Sequence, residues 1–345
     1  RVPCVWVKNH HVVQLDPEDP IRVSYQKKVG KEPTGESHPE LLKVQADPQH
    51  SNTIINGVSR IGYMDGGHTA RWKDEMFPHV MLWQAREFID RSKEKPFFLF
   101  FSFHDIHVPR VPNVKFQGAS GMGARGDVIM QMDWITGMIL KKLEQIGERN
   151  NTLVIFTSDN GPVLDDGYAD QAEEYWNSDE PAGPFSGGKY SALEGGTRIP
   201  LILNWPGVIK PGTSNALVSQ VDFLASFASL TQQKLQDTDA PDSYNLLPVL
   251  LGQSEEGRET LLEQSWTMGL RKGPWKYIPP RKEPGWIRQK KGIDGGGSVQ
   301  PQLYNLEEDP GETNNLAPQY PEKVKEMQNL LEQMQKKEYT RPTGQ

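Results

Sequence analysis

The chain predicts an α/β fold, with a mostly parallel central sheet flanked by helices and a smaller carboxyl-terminal antiparallel sheet plus helix. Three observations carry this. Apolar runs of strand length, PFFLFFSF, NNTLVIFTSD and TRIPLILNWPG, are separated by longer segments. Between the first two lies a segment of helical period, and strand, helix, strand in that order implies a right-handed parallel crossover. Beyond about residue 255 the text turns aromatic and short-stranded, in SWTMGLRKGPWKYIPP, and closes on PEKVKEMQNLLEQMQKK. Residues 1–254 therefore read as the α/β domain, with 1–73 as an excursion over its surface, and 255–345 as the smaller subdomain.

The first sixty residues are rich in Pro, Lys, Asp and His, and only Val2 to Val13 looks strand-like. Val80, Trp83, Ala85, Phe88 and Ile89 then fall on one helical face, in a helix expected to end near Lys95, before Pro96. PFFLFFSF, an unbroken apolar run, reads as a strand covered on both sides. After the Gly-rich QGASGMGARGD, Asp127 is placed to cap a helix carrying Ile129, Met132, Ile135, Ile139, Leu143 and Ile146. The two later runs read as buried strands, VSQVDFLASFASLTQQ as another amphipathic helix, and GIDGGGS as a flexible loop.

The 345 residues suffice for a substantial core, and 36% hydrophobic with 24% charged residues is a globular composition. A formal charge of −7 argues against a non-specific nucleic-acid binder, which needs a net basic face. No window reaches the apolar length of a membrane span. The first residues lack the order of a secretion signal, as a trimmed chain's also would, so the compartment stays open. Cys4 is the single cysteine, which excludes an intrachain disulfide.

The second run stops at Asp159-Asn160-Gly161. Carboxyl ends of parallel strands line the ligand crevice of open α/β sheets, and a carboxylate beside an amide suits a hard cation such as Ca²⁺ or Mg²⁺. Taken alone the triplet reads first as an Asx turn. Two other stretches change the weighting. SFHDIHVPR places His104 and His107, with Asp105 and Arg110, where the first run ends. SGGKYSALEGGTRIP places Lys189, Glu194 and Arg198 in a Gly-rich lead into the third, where a lysine can meet an anion.

These stretches resemble the arylsulfatase (type I sulfatase) branch of the alkaline-phosphatase-like superfamily. The likeness rests on PFFLFFSFHDIHVP, GDVIMQMDWITGMILKKLEQIGERNNTLVIFTSDNGP and GGKYSALEGGTRIPLILNWPG, in that order, and on the tail elements DSYNLLPVLLG, LRKGPWKYI and LYNLEEDPGETNNLA. It runs from about residue 74 to the end. The resemblance implies hydrolysis of an aryl or carbohydrate sulfate ester, one Ca²⁺ ion held in part by Asp159 and Asn160, sulfate binding by Lys189, and contact with sulfate and protonation of the leaving oxygen by His107. His104 is expected either beside the site or in the substrate pocket, and Glu194 and Arg198 are expected to shape the loop. A periplasmic or secreted location is also implied.

Sulfate ester hydrolysis needs a nucleophile on sulfur, cations around its oxygens and an acid for the leaving group. Sulfatases take the nucleophile from a formylglycine made from Cys or Ser in C/S-x-P-x-R. Cys4 sits in CVWVK, and Ser37-His38-Pro39 continues without the arginine, so neither fits. Also absent are the family's amino-terminal paired aspartates. The chain is therefore expected to be a carboxyl-terminal portion, inactive alone, with the amino-terminal part removed or on a separate chain. Two alternatives remain: a phosphatase or phosphodiesterase of the same superfamily, which Asn160 in place of a histidine disfavours, and a non-catalytic binder of sulfated sugars. In the segment after the acid-amide pair, Tyr168, Tyr175 and Trp176 are candidates to stack on a substrate ring, or simply pack their loop.

Overall fold

The structure, a computed structural model, describes residues 1–175, 181–236, 238–288 and 293–341. It divides into two compact units, Arg1–Arg149 with Leu164–Ser178, and Asn150–Val163 with Asp179–Gln345.

The first unit opens with short antiparallel ladders. β1 (Val7–Lys8) pairs with β2 (His11–Val12), β3 (Arg22–Ser24) with β6 (Tyr63–Asp65), and β4 (Ile54–Ile55) with β5 (Val58–Ser59). Asn56 and Gly57, both at positive φ (57° and 74°), make the two-residue turn that the twist of a tight hairpin favours. These residues are more than a surface excursion, because Val2, Cys4, Val5, Ile55, Met64 and Ala70 bury against one another as a small core. α1 (Phe77–Ser92) has Pro78 in its first turn and buries Leu82, Ala85 and Ile89. It packs against α2 (Gly123–Gln145), whose inner face includes Val128, Ile135 and Leu143.

Two expectations here are corrected. α2 starts four residues before Asp127, whose carboxylate instead reaches back to accept from Ser120 N at 3.0 Å, Ser120 Oγ at 2.7 Å and Gly118 N at 2.7 Å. Asp127 thus secures the preceding loop rather than capping the helix. PFFLFFSF, expected as a strand covered on both faces, joins no ladder among the described residues. Its exposure alternates, with Phe98 at 72% and Phe100 at 80% while Phe97, Leu99, Phe101 and Phe103 are half-buried. One face of the run is covered and the other open.

In the second unit, β7 (Val154–Thr157) pairs with β8 (Leu201–Asn204) in antiparallel register, Val154 opposite Asn204 and Thr157 opposite Leu201. Both are expected as buried strands of a mostly parallel sheet, but the pair is antiparallel, as is every ladder among the described residues. All four β7 residues are half-buried and Ile202 of β8 is exposed. α5 (Phe223–Leu230) follows a 3₁₀ turn closed by a capping box, with Ser219 and Asp222 each satisfying the other's backbone N–H. The carboxyl-terminal sheet runs in the order β12 (Gln302–Asn305), β11 (Trp275–Ile278), β10 (Met268–Lys272), β9 (Thr260–Gln264), all antiparallel. α8 (Pro321–Gln335) covers it, burying Met327, Leu331 and Met334 against Leu270, Tyr277 and Leu303. This is the antiparallel sheet plus helix expected from the sequence. The short helices are α3 (Ala172–Tyr175), α4 (Glu194–Thr197), α6 (Leu247–Leu250) and α7 (Gly285–Arg288). No described helix is long and apolar enough to cross a membrane.

Candidate functional site

β7 runs out into Ser158-Asp159-Asn160-Gly161. Asn160 Nδ2 donates to the carbonyl of Gly161 at 2.8 Å, which turns the amide oxygen the other way. Asp159 is exposed, and among the described residues its carboxylate has no hydrogen-bond or ion-pair partner. The Asx-turn reading therefore fails, since no turn N–H occupies either side-chain oxygen. The strand instead ends in two oxygen donors that the local fold does not consume.

A second loop meets this end. Gly161 N donates to Gly196 O at 3.1 Å, and Lys189 N donates to Pro162 O at 2.8 Å. Only glycine allows so close an approach. A Cβ on Gly161 would lie 1.7 Å from Gly195 O, and one on Gly188 would lie 2.5 Å from Pro162 O. Two backbone hydrogen bonds thus bring Lys189 to the strand end that carries Asp159 and Asn160, across about thirty residues of sequence.

The lysine loop is anchored from beneath. Glu194, fully buried at the start of α4, accepts from Lys276 Nζ at 2.9 Å and from Arg271 Nη1 at 3.2 Å, and pairs with Arg198 at 3.5 Å. Lys276, also fully buried, lies 2.9 Å from Glu263 and 3.3 Å from Glu312, and Glu312 accepts from Glu194 N at 2.5 Å. Burial alone would lower the Lys276 pKa, but the surrounding carboxylates outweigh it and hold the ammonium charged. Burial likewise opposes ionisation of Glu194, and the Lys276 and Arg271 charges overcome it. Glu312 is on the losing side: burial, with the negative Glu194 beside it, pushes its carboxyl up to about 7 despite Lys276. Glu194 and Arg198 shape the loop, as expected. Lys276, Glu263 and Glu312 had not been singled out, although a lysine inside the aromatic strand text WKYI was the signal.

His104 and His107 belong to the first unit. His107 Nδ1 lies 2.7 Å from the carbonyl of Val108, which can only accept, so Nδ1 carries its hydrogen. Buried Asp105 holds the turn by accepting from Gln131 Nε2 at 2.5 Å. Gln131 Oε1 accepts from Asn113 N at 2.9 Å, and Asn113 Nδ2 donates to Glu75 O at 2.7 Å. Arg110 clamps the other side through Ile106 O and Asp170. His104 stacks on Phe77 at 4.1 Å, and burial pulls its pKa down to about 4, so it stays neutral. That suits a packing residue better than an acid. Tyr168 is buried with its hydroxyl on Ser59 O at 2.8 Å, and so packs its loop rather than offering a stacking face. Tyr175 remains exposed, and Trp176 lies outside the described residues. Among the described residues no cluster of three or more His, Cys, Asp or Glu side chains could hold a metal ion.

Comparison with known proteins matches residues 24–233 to the family model described as Sulfatase. The chain belongs to the sulfatase family. It is 51% identical over 337 residues to an N-acetylgalactosamine-6-O-sulfatase of Bacteroides thetaiotaomicron, a match covering 96% of this chain and 65% of that protein. A solved structure from work on glycosaminoglycan metabolism in the same organism superposes with a TM-score of 0.95 at 50% identity, covering 98% of this chain and 70% of that one. A Pseudoalteromonas sulfatase structure follows at a TM-score of 0.62 and 29% identity, over 77% of this chain and 54% of that one. The chain thus spans about two thirds of the length of its relative in Bacteroides, and its fold is the α/β, alkaline-phosphatase-like fold of these sulfatases.

Proposed function

We propose that the chain is the carboxyl-terminal portion of a sulfuric ester hydrolase that releases inorganic sulfate from a carbohydrate sulfate, a 6-O-sulfated amino sugar being the first candidate. The observation that supports it most is the joining of the Asp159-Asn160 strand end to the Lys189 loop through Gly161 and Pro162. Two oxygen donors and an ammonium-bearing loop at one corner suit a tetrahedral oxyanion beside a hard cation. The family relative's name supplies the sugar.

In this reading Lys189 binds the non-bridging sulfate oxygens and spreads their charge. His107, its Nδ1 hydrogen directed to Val108 O, contacts sulfate and protonates the departing oxygen. Asp159 and Asn160 would hold part of a single Ca²⁺, which supplies further positive charge at the sulfate. Their oxygen chemistry fits calcium, and two donors of the roughly 6 to 8 it takes leave the rest to other residues. A formylglycine nucleophile, and the paired aspartates, are expected in a part of the protein amino-terminal to these residues, on the same chain or a separate one. A periplasmic or secreted location goes with this reading.

The test is sulfate release, measured by ion chromatography, from 6-O-sulfo-N-acetylgalactosamine by the full-length protein, with elemental analysis for metal. Release together with one calcium per molecule supports the reading. Zinc in twofold stoichiometry with phosphate release would favour a phosphatase, and binding without turnover would favour a non-catalytic relative.

A further inference from the structure

Beside Lys189 the structure holds an aromatic pair that the reading above does not use. We propose that Tyr190 and Trp286 form a platform on which the sugar ring of a sulfated saccharide stacks while its ester is held at Lys189, an inference that rests on the sulfatase reading.

Tyr190 sits at φ 79°, a left-handed conformation that costs a bulky residue free energy and persists only where surroundings impose it. Its carbonyl is pinned by Ser265 Oγ at 2.6 Å. The strained backbone sets the Tyr190 ring under Lys189, whose Nζ lies 5.2 Å from the ring centroid. The Trp286 indole meets that ring edge-on, 5.2 Å away at 86°, and is 50% exposed. A single exposed tryptophan needs no explanation. One held against a strained tyrosine offers an apolar face 5.2 Å from a ring whose own centroid lies 5.2 Å from the ammonium group of the lysine proposed to take sulfate. A pyranose sulfate has the complementary build, an apolar C–H face and a charged ester. Exposed Arg281 and Lys282, just before α7, add positive potential that favours an anionic saccharide over a neutral one.

The test uses the full-length enzyme and its W286A, W286L and W286F variants, with 6-O-sulfo-N-acetylgalactosamine as substrate and inorganic sulfate as product inhibitor. W286A should raise KM roughly two- to tenfold, the range expected for loss of one aromatic contact. W286L keeps apolar bulk without a planar face and should behave alike, whereas W286F should recover most of the loss. The inhibition constant of inorganic sulfate, which has no ring to stack, should not move. An unchanged KM in W286A and W286L overturns the platform alone, as does an equal rise in KM and in the sulfate constant. No sulfate release by the unmutated protein overturns the sulfatase reading and the platform with it.

Discussion

Lys276 Nζ donates to Glu194 Oε1 at 2.9 Å with both side chains fully sealed from solvent. They are 82 residues apart, on β11 and at the start of α4, so this contact ties the lysine loop to the carboxyl-terminal sheet. Removing one member of a buried pair leaves the other charge uncompensated, at a cost of about 3–5 kcal/mol. K276M should therefore lower the free energy of unfolding, measured by urea titration, by that amount. A change below about 1 kcal/mol would show that the cluster contributes little.

Glu312 makes the same cluster pH-dependent. Its folded pKa, about 7, lies above the ordinary carboxylate value, so the folded state holds the proton more firmly than the unfolded chain does. The contribution is therefore unfavourable to folding as pH rises from about 4.5 through 7, by up to roughly 3 kcal/mol. E312Q cannot titrate, and its stability relative to the natural protein should improve between pH 5 and pH 8. Parallel stability-against-pH curves for the two proteins would rule this out.

Gly161 is where the two site loops touch. A methyl group there would stand 1.7 Å from Gly195 O, so G161A must push the loops apart. We expect a loss of about 1–3 kcal/mol, as for other overpacked sites. In the full-length enzyme, sulfate affinity should fall with it, since the Lys189 N–H bond to Pro162 O is next to the clash. Thermal unfolding and titration with inorganic sulfate measure the two effects separately.

Lys189 and His107 carry the proposed chemistry. In the full-length enzyme K189A and H107A should each reduce kcat about a hundredfold or more, the scale of losing one charge-stabilising or proton-donating group. Retention of kcat by either variant removes that residue from the mechanism. The 345-residue chain alone, whose sequence contains no C/S-x-P-x-R motif, should release no sulfate from an aryl sulfate such as 4-nitrophenyl sulfate.

What the sequence determined by itself is local and chemical. The period of α1, the antiparallel text of β10 and β11, the closing helix α8, and the acid-amide and lysine stretches were legible because each depends on residues a few positions apart. The family followed from their order. Only the tertiary structure decided that Asp159 spends no oxygen on its own turn, that Gly161 and Gly196 bring the Lys189 loop to it, and that a lysine in WKYI is the buried anchor of that loop. These depend on contacts between segments about 30 to 120 residues apart, as with Glu312 accepting from Glu194 N, 118 positions away. The corrected elements have the same cause. An apolar run such as PFFLFFSF declares its hydrophobicity but not how many of its faces are covered, because that is a property of its neighbours in space.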